Sequence, residues 1–319
     1  MATMLKPEWS KPTTILFASE IPADEKAFAF ALAQACEFGA DLALFHAYDT
    51  LAAAPAQSSG IRYYDYAAAA RSEMQHLEPL AERARAAGLR CEVVVRPGLP
   101  ADQILSFAHE RKIDRIVMGT HTPGPVGKLL IGSVAEVVLR SSPVPVCIVG
   151  PNVVDGSFLN FATRTVLCAV SMLETSEAVV TFAAELAAQH NARLILQHVI
   201  KPQERNQVLA NRTIDDIEAE LVALVPVELQ DRTQIEAIVV PGDPTEELLY
   251  QGRTQQADVI VLGAQGASTF AAISRHGMVY KVLAQSQCPV MTLSPTVLAR
   301  STFHTDLVSS VETFLAGVF

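Results

Sequence analysis

A chain of 319 residues has room for two domains of ordinary size, each able to bury its own core. Half of its residues are hydrophobic and 18% are charged, which excludes a disordered chain. The 24 basic and 34 acidic residues leave a formal charge of −10 with no basic run, which argues against nucleic acid or an anionic membrane as partner, since both demand clustered Lys and Arg.

The start, Met1 to Thr14, carries Pro7, Glu8, Trp9 and Pro12 where a secretory signal would need an apolar stretch. No apolar run is long enough to cross a bilayer, so a cytoplasmic protein is expected. Thr14 to Ser19 reads as a short apolar strand. Glu25 to Phe38 follows with helical periodicity through Phe28, Leu32, Ala35 and Cys36, and Gly39 stops it. Leu42 to Tyr48 is a second strand. A polar loop over Leu51 to Ile61 leads to an Ala-rich helix ending near Gly88, with Tyr63, Tyr64, Asp65 and Tyr66 read as a packing edge. Cys91 to Val95 is strand three, Ala101 to Lys112 helix three and Arg115 to Met118 strand four. Ser133 to Ser141 is helix four and Val144 to Val149 strand five.

The same elements then return. Pro97-Gly98 and Ile116-Val117-Met118-Gly119 match Pro241-Gly242 and Ile260-Val261-Leu262-Gly263 at an offset of 144, and Thr14 to Ala18 matches Thr165 to Ala169 at an offset of 151. A repeat this long in two copies means duplicated domains, because solenoid units are far shorter. The division is a domain over 1–150, a linker over 151–162, a domain over 163–295 and a tail over 296–319. In the tail Phe303, Leu307, Val311, Phe314, Leu315 and Val318 form one helical stripe, read as a helix packed on its own body. Strands alternating with helices imply an α/β fold: two tandem open parallel sheets, five strands each, with helices on both faces. Ligands of such sheets lie beyond the C-terminal strand ends, where strand order reverses.

That places attention on the segment after Met118, which runs from Gly119 through His121, Thr122, Gly124 and Gly127 to Gly132-Ser133. A helix start exposes unpaired amides and favours an anion, and glycine lets the main chain approach phosphate oxygens. Ser133 supplies a hydroxyl that could cap the helix or bond a phosphate. His121 lies within this loop. No P-loop, Gly-x-Gly fingerprint or Gly-x-Ser-x-Gly elbow occurs. His46 and His198 hold matching positions near the end of strand two and read as satisfied strand-end histidines. Asp114 and Asp258 match before strand four and read as turn or capping residues. Cys36, Cys91, Cys147, Cys168 and Cys288 lie far apart and read as reduced thiols rather than a disulfide or metal set.

The Gly119 to Ser133 segment, with its "IVMGTH" approach and "GSVAEVVLRSSPVPVCIV" continuation, resembles the universal stress protein family, twice over nearly the whole chain. The family signature is Gly, two residues, Gly, nine residues, then Gly and Ser or Thr, and one branch of the family binds ATP there. The resemblance implies strand order 3-2-1-4-5 and pairing through strand five, here between the halves of one chain, and it leaves a homodimer of chains open. Carried over, the first-half nucleotide site comprises Ala18, Glu20, Gly119, His121, Thr122, Gly124, Gly132, Ser133 and Val134, with ATP as ligand, with or without Mg2+. Thr122 stands where the second Gly belongs. In the second half Ser171, Gly263, Gly266, His276 and Gly277 form a degenerate site, with His276 in the ungapped register at the N-terminal glycine of the helix. Three readings follow: a non-enzymatic stress-response regulator that binds an adenine nucleotide mainly in its first half, an interaction scaffold of the same fold without nucleotide, and a slow ATPase for which no general base can be named.

Overall fold

The computed structural model describes residues 11–48, 66–120, 131–154, 163–172, 176–263 and 277–298. The polar loop at 51–61, the tyrosine cluster at 63–65, most of the linker and the helical stripe of the tail lie outside the described residues.

The first half runs β1 (Thr14–Ala18), α1 (Glu25–Phe38), β2 (Asp41–Tyr48), α2 (Tyr66–Ala86), β3 (Cys91–Pro97), α3 (Pro100–Glu110), β4 (Arg115–Gly119), α4 (Ser133–Ser141) and β5 (Val146–Val149). α1 starts where the Asp24 side chain accepts hydrogen bonds from the amides of Lys26 and Ala27. It ends at Gly39, whose φ of 61° is a left-handed cap that a Cβ would strain. The second half runs β6 (Thr165–Ala169), α5 (Ser176–His190), β7 (Arg193–Ile200), α6 (Arg205–Val208), α7 (Ile214–Ala223), α8 (Val227–Gln230), β8 (Gln234–Pro241), α9 (Pro244–Thr254), β9 (Val259–Gly263), α10 (Met278–Gln285) and β10 (Val290–Leu293).

The expectation that the second half repeats the first needs one correction. The 21-residue α2 is replaced there by three short helices. The break has local causes. Thr213 and Asp216 form a reciprocal capping box that starts α7 afresh, and Pro226 interrupts the chain before α8.

Each half is an open parallel sheet in the expected order, and the two join edge to edge into ten strands, β3-β2-β1-β4-β5-β10-β9-β6-β7-β8. Among the described residues the one antiparallel pairing is at the junction, where Val290, Met291 and Thr292 face Ile148, Cys147 and Val146. Strand alternation splits the core into two layers. Ile15, Phe17, Leu42, Leu44 and Val117 pack under α1, α2 and α5 on one face. Leu16, Ala18, Phe45, Ile116 and Ile148 pack under α3, α4, α9 and α10 on the other, and both layers run unbroken across the junction.

Side chains lock the halves together. The Ser294 hydroxyl donates to the Ser142 carbonyl at 2.6 Å and the Asn152 amide donates to the Ala284 carbonyl at 3.0 Å. His190 Nδ1 lies 2.6 Å from the Glu37 carboxylate, with its ring edge-on to Phe38. Gly150 has no room for a Cβ, which would lie 2.5 Å from the Leu283 carbonyl oxygen. Arg115 is fully buried beneath α1, donates to the Gln34 side chain and stacks 5.4 Å from the Phe38 ring. Among the described residues no helix is long and apolar enough to cross a membrane.

Candidate functional site

In the order 3-2-1-4-5, the place where strand order reverses is the β1–β4 pair, and Ala18 stands directly beside Met118 in that ladder. The C-terminal ends of β1 and β4 therefore bring Ala18 within one register step of Gly119, with Glu20 two residues beyond β1. Gly119 pairs in turn with Val149 of β5, and the Thr120 amide donates to the Val149 carbonyl at 3.3 Å. The Thr120 hydroxyl is buried with no hydrogen-bond partner among the described residues.

α4 opens at this edge with Gly132 as its N-cap, extended at φ −63° and ψ 155°, and no side chain caps it. The first amide bonded within the helix is that of Glu136, to the Gly132 carbonyl at 3.0 Å. The amides of Ser133, Val134 and Ala135 precede it and have no partner inside the helix, as the geometry of any α-helix start requires. Ser133 is the first helical residue and exposed, so it is not the N-cap of α4. The bare cap and the exposed hydroxyl make one cluster of donors, which suits an anion.

Asp24 is a neighbour that the sequence reading missed. A Cβ on Gly119 would lie 2.7 Å from both the Cβ and the Cγ of Asp24, so the start of α1 by itself requires the glycine. Its signal was local, an Asp immediately before the apolar period of α1, but its seat against Gly119 is tertiary. Tyr280 is the second. From α10 of the other half its phenol oxygen accepts from the Ile131 amide at 3.2 Å, immediately before the bare cap.

His121, Thr122 and Gly124 lie outside the described residues, as do Gly266 and His276. In the second half Gly263 ends β9, and the exposed Ser171 after β6 has its hydroxyl 3.4 Å from that of Ser176. The expected register at α10 needs correction. Gly277 is its N-cap at φ −75° and ψ 162°, again without a side-chain cap, and α10 is one residue shorter than α4. Gly277 thus takes the place of Gly132, and Met278 that of Ser133. Gly277, and not His276, therefore stands at the helix start, while the loss of the hydroxyl stands.

The paired histidines are structural at one ring nitrogen. Nδ1 of His46 bonds the Ser19 carbonyl and Nδ1 of His198 the Val170 carbonyl, each at 2.9 Å. Asp114 and Asp258 do more than cap a turn. Each carboxylate accepts backbone amides at the start of the neighbouring strand, Thr13 and Thr14 for Asp114, and Arg164 and Thr165 for Asp258. All five cysteines are free thiols.

A sequence model described as "Universal stress protein family" matches residues 12–150 and again 162–294. A universal stress protein of Thermus aquaticus is 34% identical over 131 residues, which are 39% of this chain and 88% of that protein. Among solved structures, a universal stress protein from Archaeoglobus fulgidus superimposes with a TM-score of 0.66 at 20% identity, covering 88% of this chain and 96% of that one. A functionally unknown protein from Pseudomonas aeruginosa superimposes with a TM-score of 0.63 at 17% identity, covering 95% and 99%. Two family domains in sequence, joined through their fifth strands, make this chain a tandem member of the universal stress protein family.

Proposed function

We propose that this protein is a cytoplasmic stress-response regulator that binds ATP or a related adenine nucleotide in its first half and acts by binding, not by turnover. The observation that carries this reading is the bare start of α4. Its glycine cap has no side-chain partner and its first helical residue offers a hydroxyl, beside the switch point of the sheet. The triphosphate would rest on the amides and hydroxyl of Ser133 and on the amide of Val134, with Gly119, His121, Thr122 and Gly124 along its approach. The adenosine end would lie toward Ala18 and Glu20. The residues fit an anion in the first half. In the second, Met278 supplies no hydroxyl and Ser171 replaces the acidic Glu20, which supports one competent site per chain.

One feature favours the scaffold reading instead. The Asp24 carboxylate sits against Gly119, so a negative charge already stands at the end of β4. Its acceptance of two helix amides offsets that charge in part. Calorimetric titration with ATP and Mg2+ separates the readings. One site per chain, lost in Gly132→Val with Ser133→Ala, supports the regulator. No heat of binding at millimolar nucleotide supports the scaffold, and two sites per chain would refute a single competent half.

A further inference from the structure

Residue Tyr280 is where the second half reaches into the site of the first. It stands in the first turn of α10 and packs half-buried against the core layer that both halves share. Its phenol oxygen accepts from the Ile131 amide at 3.2 Å. Ile131 is 5% exposed, so this amide has been taken from water. Ile131 also immediately precedes Gly132, whose extended backbone turns the chain into α4. A buried amide without an acceptor is costly, so the chain there holds its course while the phenol oxygen is in place.

Among the described residues no matching contact runs in the other direction; the residues just before Gly277 lie outside them. Within the helix bodies the halves match at the offset of 144, as the Ser142 and Ser286 caps show, with Ser142 bonded to Val144 and Ser286 to Cys288. At that offset Tyr280 corresponds to Glu136 of α4, whose carboxylate is paired with Arg140 of its own helix. The matching helix positions thus carry a phenol in the second half and a carboxylate in the first.

We propose that Tyr280 is a positioning residue of the first-half site: by accepting the Ile131 amide it fixes the backbone that presents the Ser133 to Ala135 amides, so the second half sets part of the anion affinity of the first. This rests on the reading of α4 as a phosphate cradle, and it adds a direction of coupling between the halves. Because coupling is reciprocal, nucleotide in the first half must in turn tighten the Tyr280 contact.

Tyr280→Phe removes the oxygen and keeps the ring. Hydrogen exchange of the full chain without nucleotide, followed at the bonded amides of Ile131 and Glu136, is expected to accelerate about tenfold in the variant, with β6 and α1 unchanged. Calorimetry with ATP and Mg2+ is expected to show affinity about tenfold weaker with the same stoichiometry. A urea midpoint within the cooperative range confirms that the variant is folded. Unchanged exchange at Ile131 and Glu136 overturns the proposal whatever the affinity does. Faster exchange with unaltered affinity overturns the coupling. If the native protein binds no nucleotide, the cradle reading and the coupling both fail, and the exchange result still reports separately whether Tyr280 holds the start of α4.

Discussion

Gly119 offers a quantitative test of how the site is assembled. Its substitution by Ala would put a methyl carbon 2.7 Å from the Cβ and Cγ of Asp24, closer than carbon atoms approach without displacement. Asp24 must then move and surrender the hydrogen bonds it accepts from the Lys26 and Ala27 amides at 3.0 and 3.1 Å. Losing such a cap costs about 1 kcal/mol, and residual overpacking adds about 1 more, so Gly119→Ala is expected to destabilise the chain by about 2 kcal/mol. The Asp24→Gly background removes the three nearest atoms, all of them from the Asp24 side chain, and glycine at an N-cap costs only about a few tenths of a kcal/mol relative to Asp. In that background Gly119→Ala should cost less than about 0.5 kcal/mol, giving a coupling of about 1.5 kcal/mol. Urea unfolding of the four proteins measures the cycle. Equal penalties in both backgrounds would refute the argument, because glycine would then be needed for some reason other than Asp24.

Four further outcomes follow from other parts of the structure. His190→Ala leaves the Glu37 carboxylate at the junction without its imidazole partner and is expected to lower stability by about 2 kcal/mol, read from the urea midpoint; a neutral effect would show that the pair contributes nothing to the union of the halves. Ser294→Ala removes the 2.6 Å bond to the Ser142 carbonyl and leaves that buried oxygen one donor short, for a loss of about 1 kcal/mol by the same measurement. Burial pushes the Cys147 and Cys168 thiols up to about 12 and Cys288 up to about 11 from an ordinary value of 9.0, so at pH 8 an aromatic disulfide reagent should leave all three unlabelled in the folded protein and label all five cysteines in urea. A raised thiol pKa means that the folded state holds protons the unfolded chain releases. That contribution is intact below about pH 9 and is lost as pH climbs through 11 to 12, so unfolding midpoints should drop across that interval. Rapid native labelling of Cys147, Cys168 and Cys288 at pH 8 would contradict this.

What the chain discloses without coordinates is what local chemistry determines. α1 and α4 keep the boundaries read from periodicity because Gly39 ends one and Gly132 begins the other. β4 and β9 are near-continuous apolar runs, as strands buried on both faces must be, and the two-fold repeat carries the sheet order with it. The split between α2 and its three-part counterpart was also legible, in Thr213-Ile214-Asp215-Asp216 and in Pro226, but the assumption of exact repetition hid it. Register at α10 was not legible. An ungapped offset holds at the far end of that helix and slips by one at its start, where only backbone angles place Gly277 as the cap. Asp24 against Gly119 and Tyr280 on Ile131 join residues 95 and 149 positions apart, and no spacing rule announces such contacts.

The central claim is that α4 of the first half presents unpaired amides to a triphosphate, and a crystal grown with excess ATP and Mg2+ tests it most directly. Phosphate oxygens about 2.7–3.2 Å from the Ser133 and Val134 amides, with the pocket at α10 vacant, is the predicted result. Side chains filling the space between Gly119 and Gly132, or nucleotide bound only at α10, would contradict it.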